Sequence, residues 1–232
     1  MVTLQGWLTS VDGSCGLNWR RRLLSTKSSK IAALARHPHL EHVIATGSSD
    51  RKLKLWDLRK LSGTDTAKPQ ALDEWSFNSG INSVSWSPCG GHRLLVTLQQ
   101  REIAVLDQPR LSLRACQMVT VPHMHRFYMH ITPFRATWHP TSDRVFALGR
   151  WPETKGGAGT HGIDLFTVGQ QASAGDSDAN PGSNGETGLR CEVAGRMGTD
   201  VEAVQGGGCA WSPDGAVLAS LTGHSVVVYA CE

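Results

Sequence analysis

Short apolar runs separated by polar turns divide most of the chain into pairs of strands. Four apolar runs follow a polar turn, at 43–46, 94–97, 145–148 and 217–220. After a second tight turn, each is followed by an alternating or apolar run, at 53–56, 103–106, 163–166 and 226–229. Alternation with a period of two is typical of β-strands, and no stretch has the apolar spacing of an amphipathic helix. The pattern therefore predicts an all-β chain.

One short sequence motif, which we call the recurring phrase, precedes each pair of runs. It consists of small or apolar residues, then Trp or Arg, then Ser or His, and it ends at Pro38, Pro88, Pro140 and Pro213. The first three prolines stand about 50 residues apart, and a repeat of this length that contains several short strands is typical of a propeller blade. The first full repeat closes with Trp56-Asp57, the dipeptide that names WD40 repeats. The repeats therefore predict a WD40-type β-propeller.

The repeat count predicts part of a propeller. We count about four blades, the first of them partial, with residues 1–29 as a partial blade and connector and residues 30–232 as WD-repeat blades. WD-type rings usually close with about seven blades, so we expect this chain to be the C-terminal part of a larger ring. Insertions near 153–162 and 170–188 are rich in Gly, Ser, Asp and Asn, which predicts disordered surface loops.

Composition excludes several classes of protein. With 40% hydrophobic and 19% charged residues the chain is typical of globular proteins, and a net charge of +3 permits nucleic acid as a partner without requiring it. No apolar run approaches the roughly 20 residues that span a bilayer, and six scattered cysteines form no C-x-x-C pair. No nucleophile elbow, phosphate-binding loop or dinucleotide fingerprint is present. We therefore predict a non-enzymatic protein of the cytosol or nucleus, without a metal or other cofactor.

The segment 123–130 is the most unusual in the chain, because it brings together three histidines, one arginine, two aromatic residues and two methionines. It lies between two predicted blades, where a connection reaches one face of the propeller. Three interpretations compete. His123, His125 and His130 could bind a metal ion, the aromatic residues could pack in an ordinary turn between blades, or the loop could insert side chains between the base steps of DNA. The residues alone leave all three open.

Longer motifs resemble one family. The run from Pro122 to Pro140 combines His-Arg, an aromatic residue, His, Thr-Pro and Trp-His-Pro, and two further matches lie at 45–59 and 149–152. In these motifs the chain resembles the C-terminal half of the small WD-repeat subunit of the damage-specific DNA-binding complex, a family of sensors of UV damage. The resemblance covers most of the chain from about Lys30 onward, apart from the insertions.

The resemblance implies a mechanism and a set of DNA-binding residues. In this family a hairpin tip enters the minor groove at the lesion and fills the space left by an extruded dinucleotide. The matching tip here is Tyr128, Met129 and His130, where Met129 stands in place of a polar amide. The resemblance also implies that other side chains lie near DNA on the same face: Lys30, Gln99, Arg126 and Arg150.

A second motif implies a protein partner. Asp57 and Arg59 belong to a W-D-x-R motif. The resemblance implies that this motif docks on the large triple-propeller adaptor of a cullin–RING ubiquitin ligase. The alternative is that Asp57 only ties down a turn. We therefore expect a nuclear receptor for damaged DNA, acting in nucleotide excision repair, with histones as a further candidate partner. The alternative is a generic WD-repeat scaffold that binds a protein or histone tail.

Overall fold

The protein is described from a computed structural model, which covers residues 29–61, 70–107, 111–123, 134–150, 162–171, 188–198, 208–222 and 225–230. Within these ranges the regular structure is β-strand, apart from one short 3-10 helix at Leu58–Leu61. The predicted all-β fold is therefore confirmed. In the same ranges, no helix combines the length and the apolar character needed to cross a lipid bilayer.

Four antiparallel sheets follow one another along the chain, and we call them blades 1 to 4. In each sheet the strands lie side by side in sequence order. Blades 1 and 2 contain β1 (Ile31–Arg36), β2 (Val43–Ser48), β3 (Lys52–Asp57) and β4 (Asp73–Ser76), then β5 (Ile81–Trp86), β6 (Arg93–Leu98), β7 (Glu102–Asp107) and β8 (Gln117–Pro122). Blades 3 and 4 contain β9 (Thr137–Trp138), β10 (Val145–Arg150), β11 (Gly162–Gln171) and β12 (Gly188–Gly198), then β13 (Cys209–Trp211), β14 (Val217–Thr222) and β15 (Ser225–Ala230).

The strands form where the sequence pattern places them. The eight predicted runs lie in β2, β3, β6, β7, β10, β11, β14 and β15. In β3 the alternation is visible directly, because Leu53 and Leu55 are fully buried while Lys52 and Lys54 both contact Glu74 on the neighbouring strand β4. Because successive side chains of a strand point to opposite faces, one face enters the core and the other carries charge.

The described residues from Ile31 onward form four blades. The partial blade that we predicted at the start of the chain falls within residues 1–28, which lie outside the described ranges. Within the described ranges, blades 1 to 3 have four strands each and blade 4 has three.

The predicted insertions need a correction at their edges. Gln170 and Gln171 belong to β11, where they pair with Leu189 and Gly188 of β12, and Gly162 pairs with Gly198. These residues lack the apolar side chains of a core strand, but a backbone ladder needs only peptide groups, so the β11–β12 hairpin extends past the blade core. The remaining residues of the predicted loops, 153–161 and 172–187, lie outside the described ranges.

The tryptophan of the recurring phrase joins each blade to the preceding one. In blades 2, 3 and 4 its indole N–H donates a hydrogen bond to a main-chain oxygen on the first strand of the blade before. The three bonds run from Trp86 to Ala35 (3.3 Å), from Trp138 to Ser85 (3.3 Å) and from Trp211 to Thr137 (3.4 Å). Since a buried indole N–H requires an acceptor, the repeat of this bond fixes how neighbouring blades pack.

Each blade has two ends, and the ends differ. At one end, which we call the hairpin rim, lie Lys30, the β2–β3 turn 49–51, the β6–β7 turn 99–101 and His123. At the other, the proline rim, lie the turns that contain Pro38, Pro88, Pro140 and Pro213, together with Asp57. Because strands alternate in direction, every second connection returns to the same rim. The topology thus brings distant loops together at one face.

Candidate nucleic-acid interface

The structure places Lys30 and Gln99 at the hairpin rim. Their contact with DNA stays a prediction. The main-chain oxygen of Lys30 accepts hydrogen bonds from the backbone N–H of Ser49 at 3.0 Å and from the Ser48 hydroxyl at 2.9 Å. These bonds fix the start of β1 against the β2–β3 turn, while the Lys30 side chain remains exposed. An exposed ammonium on an anchored backbone is suited to contact an anion.

Gln99 lies against Gly80 at the start of blade 2. Its backbone N–H donates to the main-chain oxygen of Gly80 at 2.8 Å, and its carboxamide lies directly over Gly80. A Cβ at residue 80 would lie 2.5 Å from the Gln99 Oε1 atom, so the carboxamide occupies the space that the glycine leaves open. The Gln99 side chain is half-buried at the entrance to blade 2.

Arg150 lies at the end of β10 on the same rim, but its charge faces the protein. Its guanidinium forms an ion pair with Asp164 at 3.5 Å and is only 10% exposed, and Arg196 approaches the same carboxylate at 3.8 Å. Burial raises the pKa of Asp164, and the two arginines oppose that rise. Arg150 thus helps to neutralise a buried acid on β11. Its contact with DNA stays a prediction.

The connection between β8 and β9 begins and ends at one point of the hairpin rim. His123, which is 6% exposed, donates its backbone N–H to the main-chain oxygen of Arg101 at 2.9 Å. Its ring contacts the buried ring of Phe134 edge-on, with 4.8 Å between ring centroids. Two residues later, the backbone N–H of Ala136 donates to the Thr97 hydroxyl at 3.1 Å. The described residues that flank 124–133 are therefore in contact with each other and with blade 2.

The residues that the sequence assigned to the hairpin fall in this segment. Arg126, Tyr128, Met129 and His130 lie outside the described ranges, so their roles stay predictions. Of the three histidines considered for a metal site, His123 packs against Phe134. Across the described parts of the chain, no group of three or more His, Cys, Asp or Glu residues has the arrangement of a metal site.

Sequence reasoning missed two arginines on the hairpin rim. Neither Arg51 nor Arg101 was named as a candidate DNA-binding residue. Both are exposed and each immediately precedes the third strand of its blade. Both have left-handed backbone, with φ of 72° and 58°. The signal in the sequence was the repeat register, because the two residues hold the same position in successive blades.

Asp57 and Arg59 lie on the proline rim, away from these residues. The Asp57 carboxylate is 6% exposed and accepts hydrogen bonds from the Arg59 backbone N–H at 2.9 Å and from its guanidinium at 3.1 and 2.9 Å. The side-chain hydrogen bond with Arg59 lowers the pKa of Asp57 to about 2. Asp57 thus ties down the turn that begins the 3-10 helix. The Arg59 side chain is 68% exposed, so part of it also remains accessible to a partner.

The sheets and their links define a class of protein, a partial WD-type β-propeller. A family model for the WD domain, G-beta repeat, matches residues 20–57. The WD40 domain of Toxoplasma gondii coronin matches 90% of the chain, with a TM-score of 0.58 and 13% identity, over 44% of its own length. Saccharomyces cerevisiae Sqt1 matches 88% of the chain and 46% of its own, with a TM-score of 0.52 and 14% identity. These structures support the fold alone.

The similar sequences carry a more particular name. DNA damage-binding protein 2 of Gallus gallus is 28% identical over 220 residues, which are 90% of this chain and 39% of that protein. The Bos taurus protein of the same name is 32% identical over 58% of this chain and 29% of its own length, and Arabidopsis thaliana DAMAGED DNA-BINDING 2 is 30% identical over 62% and 25%. The chain therefore spans less than two fifths of each relative. The family resemblance read from the sequence is confirmed.

Proposed function

We propose that this chain recognises damaged duplex DNA through its hairpin rim. The single observation that carries the proposal is the contact between His123 and Phe134, the two residues that flank 124–133, on the same rim as Lys30 and Gln99. The similarity to proteins named DNA damage-binding protein 2 supports the choice of ligand. In this proposal Tyr128, Met129 and His130 form the tip that enters the minor groove.

The physical basis is a difference in stacking energy. Extruding bases from a duplex costs a few kcal/mol, and it costs least where a lesion has already weakened pairing and stacking. Apolar and aromatic side chains that enter the minor groove unstack and kink such steps. A segment whose two ends are fixed loses less conformational freedom when it inserts, so more of its contact energy remains available to open the duplex. Selection then follows deformability rather than base sequence.

Cations around the tip supply affinity that does not depend on the lesion. Lys30 and Arg126 would neutralise phosphates and release counterions, so binding weakens as salt rises. The half-buried Gln99 amide offers both a donor and an acceptor near the same site. Arg150 would act mainly by holding the β10–β11 end of blade 3 through Asp164.

Electrophoretic binding of the full chain to UV-irradiated and undamaged duplexes, at fixed and stated salt, tests this proposal. We expect tighter binding to the irradiated duplex, and loss of that preference in the double variant Tyr128→Ala with His130→Ala. The matched control is His39→Ala with His42→Ala on the proline rim, which should retain the preference. If the Tyr128/His130 variant keeps the full preference, the assignment of the tip is wrong.

A finer proposal concerns a protein partner on the proline rim. We infer that the turn at Asp57 and Arg59 contributes to docking on the triple-propeller adaptor of a cullin–RING ubiquitin ligase, with the chain as nuclear substrate receptor in nucleotide excision repair. Arg59 supports this role because its guanidinium is largely exposed while Asp57 holds it in one orientation. An oriented guanidinium is well suited to planar, bidentate contacts across an interface.

Binding of purified adaptor to the full chain tests the docking proposal. Arg59→Ala should weaken the complex, while Lys60→Ala, which removes an exposed cation from the next position of the same turn, should not. Equal behaviour of the two variants would contradict a specific role for Arg59. Adaptor binding without any preference for irradiated DNA would instead favour a WD-repeat scaffold for protein or histone partners.

A further inference from the structure

Two arginines occupy equivalent places in neighbouring blades. Arg51 ends the turn between β2 and β3, and Arg101 ends the turn between β6 and β7. Both side chains are exposed, and both residues have left-handed backbone. The two turns lie on the hairpin rim, and Arg101 is hydrogen-bonded through its main-chain oxygen to His123, at the start of segment 124–133.

The local fold does not require arginine at either position. Left-handed backbone is unfavourable for a residue with a Cβ, and glycine or asparagine is the usual occupant. The turns are stabilised by main-chain contacts instead, since Phe77 donates its backbone N–H to the oxygen of Arg51 and His123 donates to that of Arg101, both at 2.9 Å. These bonds fix the backbone and leave the choice of side chain open. The exposed guanidinium of Arg51 therefore points to a role outside the turn.

Neighbouring basic residues have acidic partners within the protein. Lys52 and Lys54 both form ion pairs with Glu74, and Arg150 forms one with Asp164. Within the described ranges, by contrast, no carboxylate lies at ion-pair distance from the exposed side chains of Lys30 or Arg51. Positive charge therefore remains available to an external anion at this end of blade 1.

We propose that Arg51 and Arg101, with Lys30, bind the phosphate backbone of the duplex beside the lesion, and this rests on the proposed function. Packed sheets lie about 10 Å apart, so arginines in adjacent blades are spaced to reach separate phosphates of one duplex. These contacts carry no sequence information and position the duplex. Arg101 anchors it next to the hairpin base, and Arg51 anchors it one blade away.

The salt dependence of binding tests this assignment. The double variant Arg51→Gln with Arg101→Gln keeps a Cβ at both left-handed positions and removes two charges. The matched control, Arg36→Gln with Arg144→Gln, removes two exposed arginines from the proline rim. A second pair, Arg51→Lys with Arg101→Lys, keeps the charge. Association constants for irradiated and undamaged duplexes are measured as a function of salt, and thermal melting verifies that each variant is folded.

We expect the slope of log K against log salt to become shallower by about two in the Gln pair, for both duplexes, with the preference for irradiated DNA unchanged. The Lys pair and the control pair should keep the slope of the parent chain. An unchanged slope in the Gln pair overturns this inference, even where the parent prefers irradiated DNA. If the parent binds both duplexes equally, the proposed function fails, and the slope for undamaged DNA still decides the role of the two arginines. A parent chain that binds neither duplex overturns both.

Discussion

The ring of His123 meets the ring of Phe134 edge-on, with 4.8 Å between their centroids. Both residues are buried, and ten residues lie between them in the sequence. An edge-to-face contact of this kind contributes about 0.5–1.5 kcal/mol beyond the area it buries. It joins the exit of β8 to the approach to β9, so the segment that carries the predicted tip starts and ends on a rigid base.

Weakening the contact between His123 and Phe134 should reduce the preference for irradiated DNA more than it reduces the affinity for undamaged DNA. We expect His123→Ala to lower the ratio of affinities for irradiated and undamaged duplexes, because the segment loses one of its two anchors. Affinity for undamaged duplex should change by less than about twofold, since the phosphate contacts are untouched. Fluorescence anisotropy with both duplexes measures the two quantities. His39→Ala, on the proline rim, is the control, and an unaltered ratio in His123→Ala would show that the base plays no part.

The indole links between blades should contribute measurably to stability. Trp138→Phe removes the hydrogen bond to the Ser85 main-chain oxygen and part of a buried ring. We expect the free energy of unfolding to fall by about 1–3 kcal/mol. Urea unfolding followed by circular dichroism measures this loss. Trp75→Phe is the control, because the half-buried Trp75 indole makes no hydrogen bond with the described part of the chain. Equal losses in the two variants would argue against the link.

The turn after Pro88 requires glycine for two reasons. Gly91 has a φ of 64°, and a Cβ there would lie 2.6 Å from Cε1 of the His37 ring in blade 1. We expect Gly91→Ala to lower the free energy of unfolding by about 1–3 kcal/mol, of which the backbone accounts for roughly half.

Removing the His37 ring should recover the other part of the lost stability, which arises from the contact between the new Cβ and this ring. In a double-mutant cycle, His37→Ser with Gly91→Ala should therefore cost less than the sum of the two single changes. Gly169→Ala serves as a control, because a Cβ there meets nothing within 4 Å. Strict additivity in the cycle would rule out the contact between blades.

His37 should make stability depend on pH. Its Nδ1 atom accepts the backbone N–H groups of His39 at 3.1 Å and Leu40 at 3.0 Å. Burial lowers the pKa of His37, and the nearby His39 and His42 also lower it, against a backbone hydrogen bond with Gly91 that raises it. The unfolded chain then binds the proton more readily, so the stabilisation is complete above the ordinary pKa of 6.5 and is lost as the pH falls below it.

Urea unfolding at pH values of roughly 7.5 and 5.5 measures this effect. We expect the chain to be less stable at the lower pH, and His37→Ser to reduce the difference. Serine is a suitable replacement because Ser87 and Ser212 hold the same place in blades 2 and 4, where their hydroxyls accept the N–H of Arg93 and Val217. If His37→Ser retains the full pH dependence, another group is responsible.

The fold could be predicted from the sequence because its signals are local and repeated. Each pair of strands carries its own signal, so β2, β3, β6 and β7 follow from short apolar or alternating runs between polar turns. The ends of β11 and β12 could not be predicted in this way. Gln170, Gln171 and Gly188 join a ladder through their peptide groups, which leave no trace in the side-chain pattern.

The candidate site could be predicted only in part. Motif resemblance singled out Lys30 and Gln99, which both lie on the hairpin rim, and their contact with DNA stays a prediction. It gave no indication that Arg150 faces Asp164, because that ion pair depends on the register of β10 against β11. Arg51 and Arg101 were missed because neither is glycine or asparagine, the usual occupants of a left-handed position, so only their matching places in the repeat mark them.

The indole hydrogen bonds give the row of blades a polarity. Every donor belongs to the later blade and every acceptor to the earlier one. Each acceptor residue stands directly before the position of the recurring phrase that is Trp in blades 2 to 4. Blade 1 has Arg36 at that position, with a side chain that is 62% exposed and reaches Glu41. Blade 1 therefore lacks the indole donor that each later blade uses. A blade that packs onto blade 4 in the same manner would direct a tryptophan to the main-chain oxygen of Ala210. The same indole bond can therefore add a blade next to blade 4, but blade 1 has no indole at this position to donate to a blade on its other side.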